Sequence, residues 1–276
     1  MNRLSLEDRA QIVSLLVEGN SLRAITRITG KSINTVTKLL VDVGTACLIY
    51  QNETLRNLNC KRIQCDEIWA YCGMKQKNVP AERAHEDIGD IYTYTAIDPD
   101  SKLCVSFMIG RRTADTTFSF MYDLKGRLAN RIQLTTDGYP KYIDAVELTF
   151  GSNVDFAMLV KQYNSTPESN SPERRYSPSK FVKSEKRVIT GDPDMDEVST
   201  SHVERANLTM RMGMRRFTRL TNGFSKKAFN LECAVALHFM HYNFGRIHKT
   251  LRVTPAMEAG ISDHAWTLEE IAKLAD

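Results

Sequence analysis

Four acidic residues stand where carboxylates could do chemistry rather than solvate a surface. Asp66 and Glu67 lie in CDEIW (65–69), Asp137 in TTDGYPKY (135–142), and Glu204 in SHVERANLTMR (201–211). Asp66 falls inside an otherwise apolar, β-leaning run, where an unpaired carboxylate is costly to bury; a metal ion or a salt bridge would compensate it. Asp137 closes a short strand, the kind of position at which mixed α/β sheets build their sites. Helical spacing places Glu204, Asn207 and Arg211 on one face, at i, i+3 and i+7. Carboxylate oxygens suit hard cations such as Mg²⁺. Two such ions, about 3.5–4 Å apart, activate an attacking hydroxyl and neutralise the leaving oxygen in an in-line displacement at phosphorus. Strand alternation sends Asp66 and Glu67 to opposite faces and does not choose between them.

These residues need a scaffold. Residues 62–72, 90–98 and 102–111 read as three strands, the last two joined by the turn Asp98-Pro99-Asp100-Ser101. An amphipathic helix follows over 114–129, then a short strand over 131–136 that ends at Asp137-Gly138. Pro140 opens a helix over 141–148, and a further strand covers 156–163. The pattern predicts an α/β fold with a mixed sheet flanked by helices. Residues 164–200, rich in Ser, Pro and charge with a β-leaning patch at 181–189, read as an insertion or long loop before the helix that carries Glu204.

Residues 1–45 read as a small all-α module of three helices, capped by Ser5, Ser21 and Ser32 and broken at Gly19-Asn20 and Gly30. A tight turn between the second and third is the layout of a helix-turn-helix domain. Asn34, Thr35, Thr37 and Lys38 would then face outward to reach base edges or phosphates. A plain three-helix bundle used for packing has the same pattern. Residues 46–59 read as a linker and 263–276 as a C-terminal helix or tail.

Net charge is only +4 over 276 residues, but its distribution is uneven. From His202 to Arg252 there are ten Lys or Arg against Glu204 and Glu232; from Asn20 to Val41 there are four and no acid. Two separate basic segments fit contact with a polyanion. Arg215, Arg216 and Arg219 extend this stripe and would grip a DNA backbone without reading sequence. Asn207 and Arg211 would contact phosphate or orient Glu204. The six cysteines have no paired spacing and read as buried free thiols. His238, His241 and His248 read as packing or helix-end residues, and Trp69 as core. There is neither a secretory leader pattern nor an unbroken apolar run of about 18 residues.

The segments CDEIW, TTDGYPKY, 199–227 (STSHVERANLTMRMGMRRFTRLTNGFSKK) and 241–261 (HYNFGRIHKTLRVTPAMEAGI) resemble transposases of the insertion sequence one family, over about residues 60–262. The resemblance implies a ribonuclease H-like catalytic domain over 60–262. It selects Asp66, Asp137 and Glu204 as the catalytic and metal-binding carboxylates of a DDE site, with two Mg²⁺ ions, for which Mn²⁺ may substitute. It further implies cleavage at transposon ends, strand transfer into target DNA, a homodimer or higher oligomer on terminal inverted repeats, and a cytoplasmic, nucleoid-associated prokaryotic setting. Some members carry an N-terminal zinc ribbon, for which this chain has no cysteine pattern. Two other readings fit the same residues: a DNA-binding regulator without catalysis, and a ribonuclease H-like nuclease that cuts without joining.

Overall fold

A computed structural model describes residues 4–83, 86–163, 181–218 and 221–276. The described chain runs α1 (Leu6–Val17), α2 (Leu22–Thr29), α3 (Ile33–Thr54), β1 (Arg62–Cys72), β2 (Gly89–Ile97), β3 (Cys104–Gly110), α4 (Ala114–Arg127), β4 (Ile132–Asp137), α5 (Lys141–Phe150), β5 (Val154–Tyr163), β6 (Phe181–Thr190), α6 (Ser201–Gly213), α7 (Ala228–Met240), α8 (Pro255–Glu258) and α9 (Leu268–Lys273).

The strands form one six-stranded mixed sheet in the order β3-β2-β1-β4-β5-β6. β1 pairs antiparallel with β2 and β2 with β3, while β1, β4 and β5 run parallel. The parallel connections are made by α4 and α5, as a crossover between parallel strands requires. With helices flanking it, this sheet is consistent with the ribonuclease H-like expectation. Burial follows the same logic: Ile63, Cys65, Leu134, Val154 and Phe156 are almost fully enclosed at the sheet centre, as strands covered on both faces must be. The outer edge of β3 is closed by Asn243, which is fully buried. Its amide nitrogen donates to the Cys104 carbonyl at 3.0 Å, and its Oδ1 accepts from the Cys104 N–H at 2.9 Å.

Several elements differ from expectation. The linker predicted over 46–59 is helical for most of its length, because α3 continues to Thr54. Its second half carries Val43, Cys47 and Gln51 on a buried stripe. Tertiary packing extends it: Gln51 donates from Nε2 to the Ala236 carbonyl of α7 at 3.0 Å, and the helix lies along α7. α1 is likewise joined to the C-terminal helix, through Arg9, which donates to the Ala272 carbonyl at 3.2 Å and pairs with Asp276 at 2.5 Å. The N-terminal helices therefore share one core with α7 and α9, with no break at residue 45. The 263–276 segment is a docked helix. The β-leaning patch at 181–189 is a paired strand, β6 beside β5; the rest of that insertion, 164–180, lies outside the described residues. α3 is also long and apolar enough to meet a length-and-hydropathy test for a membrane span. Lys38 and Asp42 interrupt its apolar stretch.

The contact of α3 with α7 depends on one residue without a side chain. A methyl group on Gly44 would meet the Cys233 Cβ at 2.5 Å, and the Cys233 carbonyl closer still. Neither backbone can yield without separating the helices. Gly44→Ala is therefore expected to cost about 2 kcal/mol, the usual scale of overpacking, despite the better helix propensity of alanine. Chemical denaturation checks this; a more stable Gly44→Ala protein would show that the helices part freely.

All six cysteines are free and buried, as the sequence predicts. Trp69, expected in the core, is instead 37% exposed. It sits beside Tyr71 with ring centroids 5.8 Å apart, on the stretch of β1 that runs on past the end of β4.

Candidate active site

The pairing of β1 with β4 ends at Cys65 opposite Thr136, so the next residues along, Asp66 and Asp137, emerge side by side where the parallel strands part. Carboxylate oxygens of Asp66, Glu67 and Asp137 all lie within 4.8 Å of one another. Alternation still holds along β1: Gln64 and Asp66 engage α6, whereas Glu67 turns toward Arg112 on the other face. Asp137 stands at a strand end, where its carboxylate reaches both groups.

α6 is docked on β1 by two contacts in register. The Gln64 Oε1 accepts from the His202 and Val203 N–H groups, at 2.9 and 3.3 Å, satisfying donors that the first turn of a helix leaves free. One helical turn farther on, Asn207 donates from Nδ2 to the Asp66 Oδ2 at 2.9 Å. Two strand residues span ~6.6 Å and one helical turn ~5.4 Å, so both pairs can form at once. Asn207 is only 6% exposed. Its side chain is turned to Asp66, on the helix face that also carries Glu204. Arg211, one turn later on the same helix, is exposed.

Glu204 lies at the edge of this group. It is half exposed and accepts at Oε1 from Thr200 Oγ1 at 2.5 Å and from the Lys161 ammonium. It does not belong to the 4.8 Å cluster, and Glu67 does. The charge on Glu204 nevertheless acts on both aspartates, pushing their carboxyls upward.

The electrostatics are those of anions short of counter-charge. Burial and then the neighbouring Asp137 raise the Asp66 carboxyl to about 6, against the hydrogen bond from Asn207. Burial and Asp137 raise Glu67 further, to about 8, although Arg112 opposes the shift. Asp137 is raised by burial, with the Tyr139 N–H at 3.0 Å and Arg112 pulling the other way. Arg112 is the main cation here: its Nε lies 3.3 Å from Glu67, its Nη2 3.6 Å from Asp137, and its guanidinium stacks 3.9 Å over the Tyr139 ring. Enclosed acids whose ionised forms are penalised by burial and by one another, all offering hard oxygen ligands, fit a divalent metal ion.

The sequence reading passed over Arg112 and Lys161. Both come from elements far along the chain, the β3–α4 connection and β5, and neither sits in a motif. A basic residue close to each acid is common in any sequence, so spacing offered no signal. Glu67 was visible but unranked.

The other expected contact residues lie elsewhere. Asn34 and Lys38 are exposed on the first turns of α3, where Lys38 pairs with Asp42. Thr35 is hydrogen bonded to the Ser32 hydroxyl at 2.9 Å, serving the helix cap. Thr37 instead lines a cleft shared with Arg215 and Arg216. Arg219 lies outside the described residues.

No protein-family model matches the chain, and no curated protein matches it either. Solved structures similar to it include transposase complexes. A Mos1 transposase paired-end complex with left transposon end is 11% identical, covering 56% of this chain and 60% of that one at a TM-score of 0.23. A piggyBac transposase synaptic complex with hairpin DNA is 12% identical over 99% of this chain and 71% of that one, at 0.40. The Mos1 strand transfer complex is 10% identical, covering 88% and 78%, at 0.25. The chain thus spans about three-fifths of the Mos1 chain in the paired-end complex.

Proposed function

We propose that this chain is a DNA transposase of the DDE type, in which Asp66, Asp137 and Glu204 hold two divalent metal ions for cleavage at transposon ends and for strand transfer into target DNA. The observation that carries the reading is the meeting of Asp66 and Asp137 at the parting ends of two parallel strands, with Glu204 brought alongside by α6. The insertion sequence one resemblance of the surrounding segments supports it, as does the basic character of the chain after Glu204.

Bound there, Mg²⁺ or Mn²⁺ would polarise the scissile phosphate and lower the cost of generating the attacking oxygen. The protein supplies the rest. Asn207 fixes the Asp66 carboxylate by its hydrogen bond, and Gln64 fixes the helix that carries both Asn207 and Glu204. Lys161 pairs with Glu204 and Arg112 with Glu67, and both would exchange those pairs for phosphate or solvent when an ion binds. Arg211, Arg215, Arg216 and Arg219 would hold the DNA backbone, and α2 with α3 would act as a helix-turn-helix that presents Asn34 and Lys38 to the duplex. The protein would work as a dimer or larger assembly on the terminal inverted repeats, in a prokaryotic cytoplasm in association with the nucleoid.

The test is incubation of the purified chain with a duplex carrying the DNA that flanks its gene, in Mg²⁺, Mn²⁺ or EDTA. Metal-dependent strand breaks with 3′-hydroxyl ends, followed by joining of those ends to a second DNA, are expected. Breaks without joining would support a nuclease instead, and binding with no metal-dependent breaks a regulator.

A further inference from the structure

A cleft in the described structure lies away from the carboxylates. It has a volume of about 770 Å³ and runs between the N-terminal helices, the segment that follows α6, and α7. Arg23 enters it from α2, Arg215 and Arg216 from the end of α6, and Lys226 and Lys227 from the start of α7; no aspartate or glutamate lines it. Five cations around a concave surface, with no acid among its described lining residues, favour a polyanion there.

Two side chains separate this cleft from an ordinary basic surface. Arg216 is largely enclosed, and among the described residues it makes no ion pair; its hydrogen bond is from Nη1 to the Ser225 hydroxyl at 2.8 Å. A guanidinium in that position carries a desolvation cost that only an anion offsets well. Burial pulls the Arg216 pKa down, in keeping with that cost. His238 also lines the cleft, is 7% exposed, and has an Nε2 with no hydrogen-bond partner among the described residues. Burial holds its pKa near 3, so the ring stays neutral and can donate one N–H without adding charge.

We propose that this cleft binds backbone phosphates of duplex DNA, with Arg216 as the enclosed counter-charge and Arg23, Arg215, Lys226 and Lys227 along the path of the strand. The assignment rests on the DNA-processing reading above and adds a second contact region, formed jointly by the N-terminal helices and the chain after α6. DNA seated there would tie the helices that present Asn34 and Lys38 to the element that carries Glu204, since α6 ends at the rim of the cleft. Phosphate chemistry is shared by free phosphate ions, so the test separates the two.

Fluorescence anisotropy with a short labelled duplex, in EDTA so that cleavage plays no part, reads the proposal directly. An Arg23→Gln/Lys227→Gln protein is expected to bind about tenfold more weakly, and its plot of log affinity against log salt should flatten by about 1 for each cation removed. Arg216→Gln should weaken binding at least as much. Native affinity and native salt slope in both proteins would overturn the proposal. The double variant changes exposed residues only and decides the matter alone if Arg216→Gln does not fold. Inorganic phosphate that raises the Tm of the native chain but not of Arg216→Gln, with duplex affinity unaltered in every variant, would assign the cleft to a free phosphate and overturn the DNA assignment. Weakened duplex binding in a chain that shows no metal-dependent cleavage would support the cleft while removing the enzymatic reading.

Discussion

Asp66→Asn and Asp137→Asn proteins are expected to bind duplex DNA as the native chain does but to lose metal-dependent cleavage by a factor of about 10³ or more. The two carboxylates meet at the parting strand ends and are the shared element of every arrangement of ligands the site allows. Removing one negative oxygen ligand forfeits several kcal/mol of transition-state stabilisation, and each 1.36 kcal/mol is about a factor of ten in rate. Asparagine keeps the shape, and at Asp66 it can still meet Asn207. Folding should therefore survive, and the loss should fall on turnover rather than on DNA affinity. Single-turnover cleavage at saturating protein, run beside an anisotropy titration, separates the two quantities. Full turnover in either protein would remove the metal site from the mechanism.

The same assay decides the third ligand. Glu67 lies within the 4.8 Å cluster, while Glu204 is tied to Lys161 and Thr200. Glu67, however, has its side chain only 2% exposed and is engaged by Arg112 on the face away from α6. Glu204 is open to solvent, and its charge already acts on both aspartates. The Glu204→Gln protein is accordingly expected to lose cleavage by about 10² or more, with Glu67→Gln falling less than tenfold. The reverse order would transfer the role to Glu67.

The second large effect is on stability, and its direction is opposite to that of ordinary acid denaturation. Asp66 and Glu67 have carboxyl pKa values raised to about 6 and about 8 in the folded chain, from ordinary values near 4. Below about pH 4 both are protonated in the folded and unfolded states, and they contribute no difference. As pH rises, the unfolded chain releases its protons first, so the folded state holds more of them and loses stability until about pH 8, where the loss is complete. Together the two groups should destabilise the metal-free chain by on the order of 4 kcal/mol between pH 4 and pH 8, after discounting for relaxation. For a chain of this size that is roughly 8–16 °C in Tm. Glu67→Gln should recover part of the loss at pH 8 and little at pH 5, and millimolar Mg²⁺ should recover it in the native chain by binding the ionised acids. Differential scanning calorimetry in EDTA and in Mg²⁺ across this range checks both. Stability that rises with pH in EDTA would mean that Arg112 and Lys161 neutralise the cluster fully.

What the sequence by itself determined is local in character. β-leaning composition over 62–72 and 90–98 placed the strands, Pro140 and the serine caps placed helix starts, and helical spacing put Glu204 and Asn207 on one face, because each of these signals is carried by residues a few positions apart. The charge asymmetry after Glu204 was legible for the same reason. Tertiary structure alone decided the rest. Whether Asp66 or Glu67 faces α6 depends on which side of β1 the helix docks, which Gln64 fixes across 138 residues of chain. The extension of α3 to Thr54 depends on α7, whose close approach at Gly44 cannot be read from either helix alone. Arg112 and Lys161 reach their carboxylates only because β3, β4 and β5 share a sheet. A cluster of acids is a property of strand ends brought together in space, so its energetics, unlike its members, had no linear pattern to announce it.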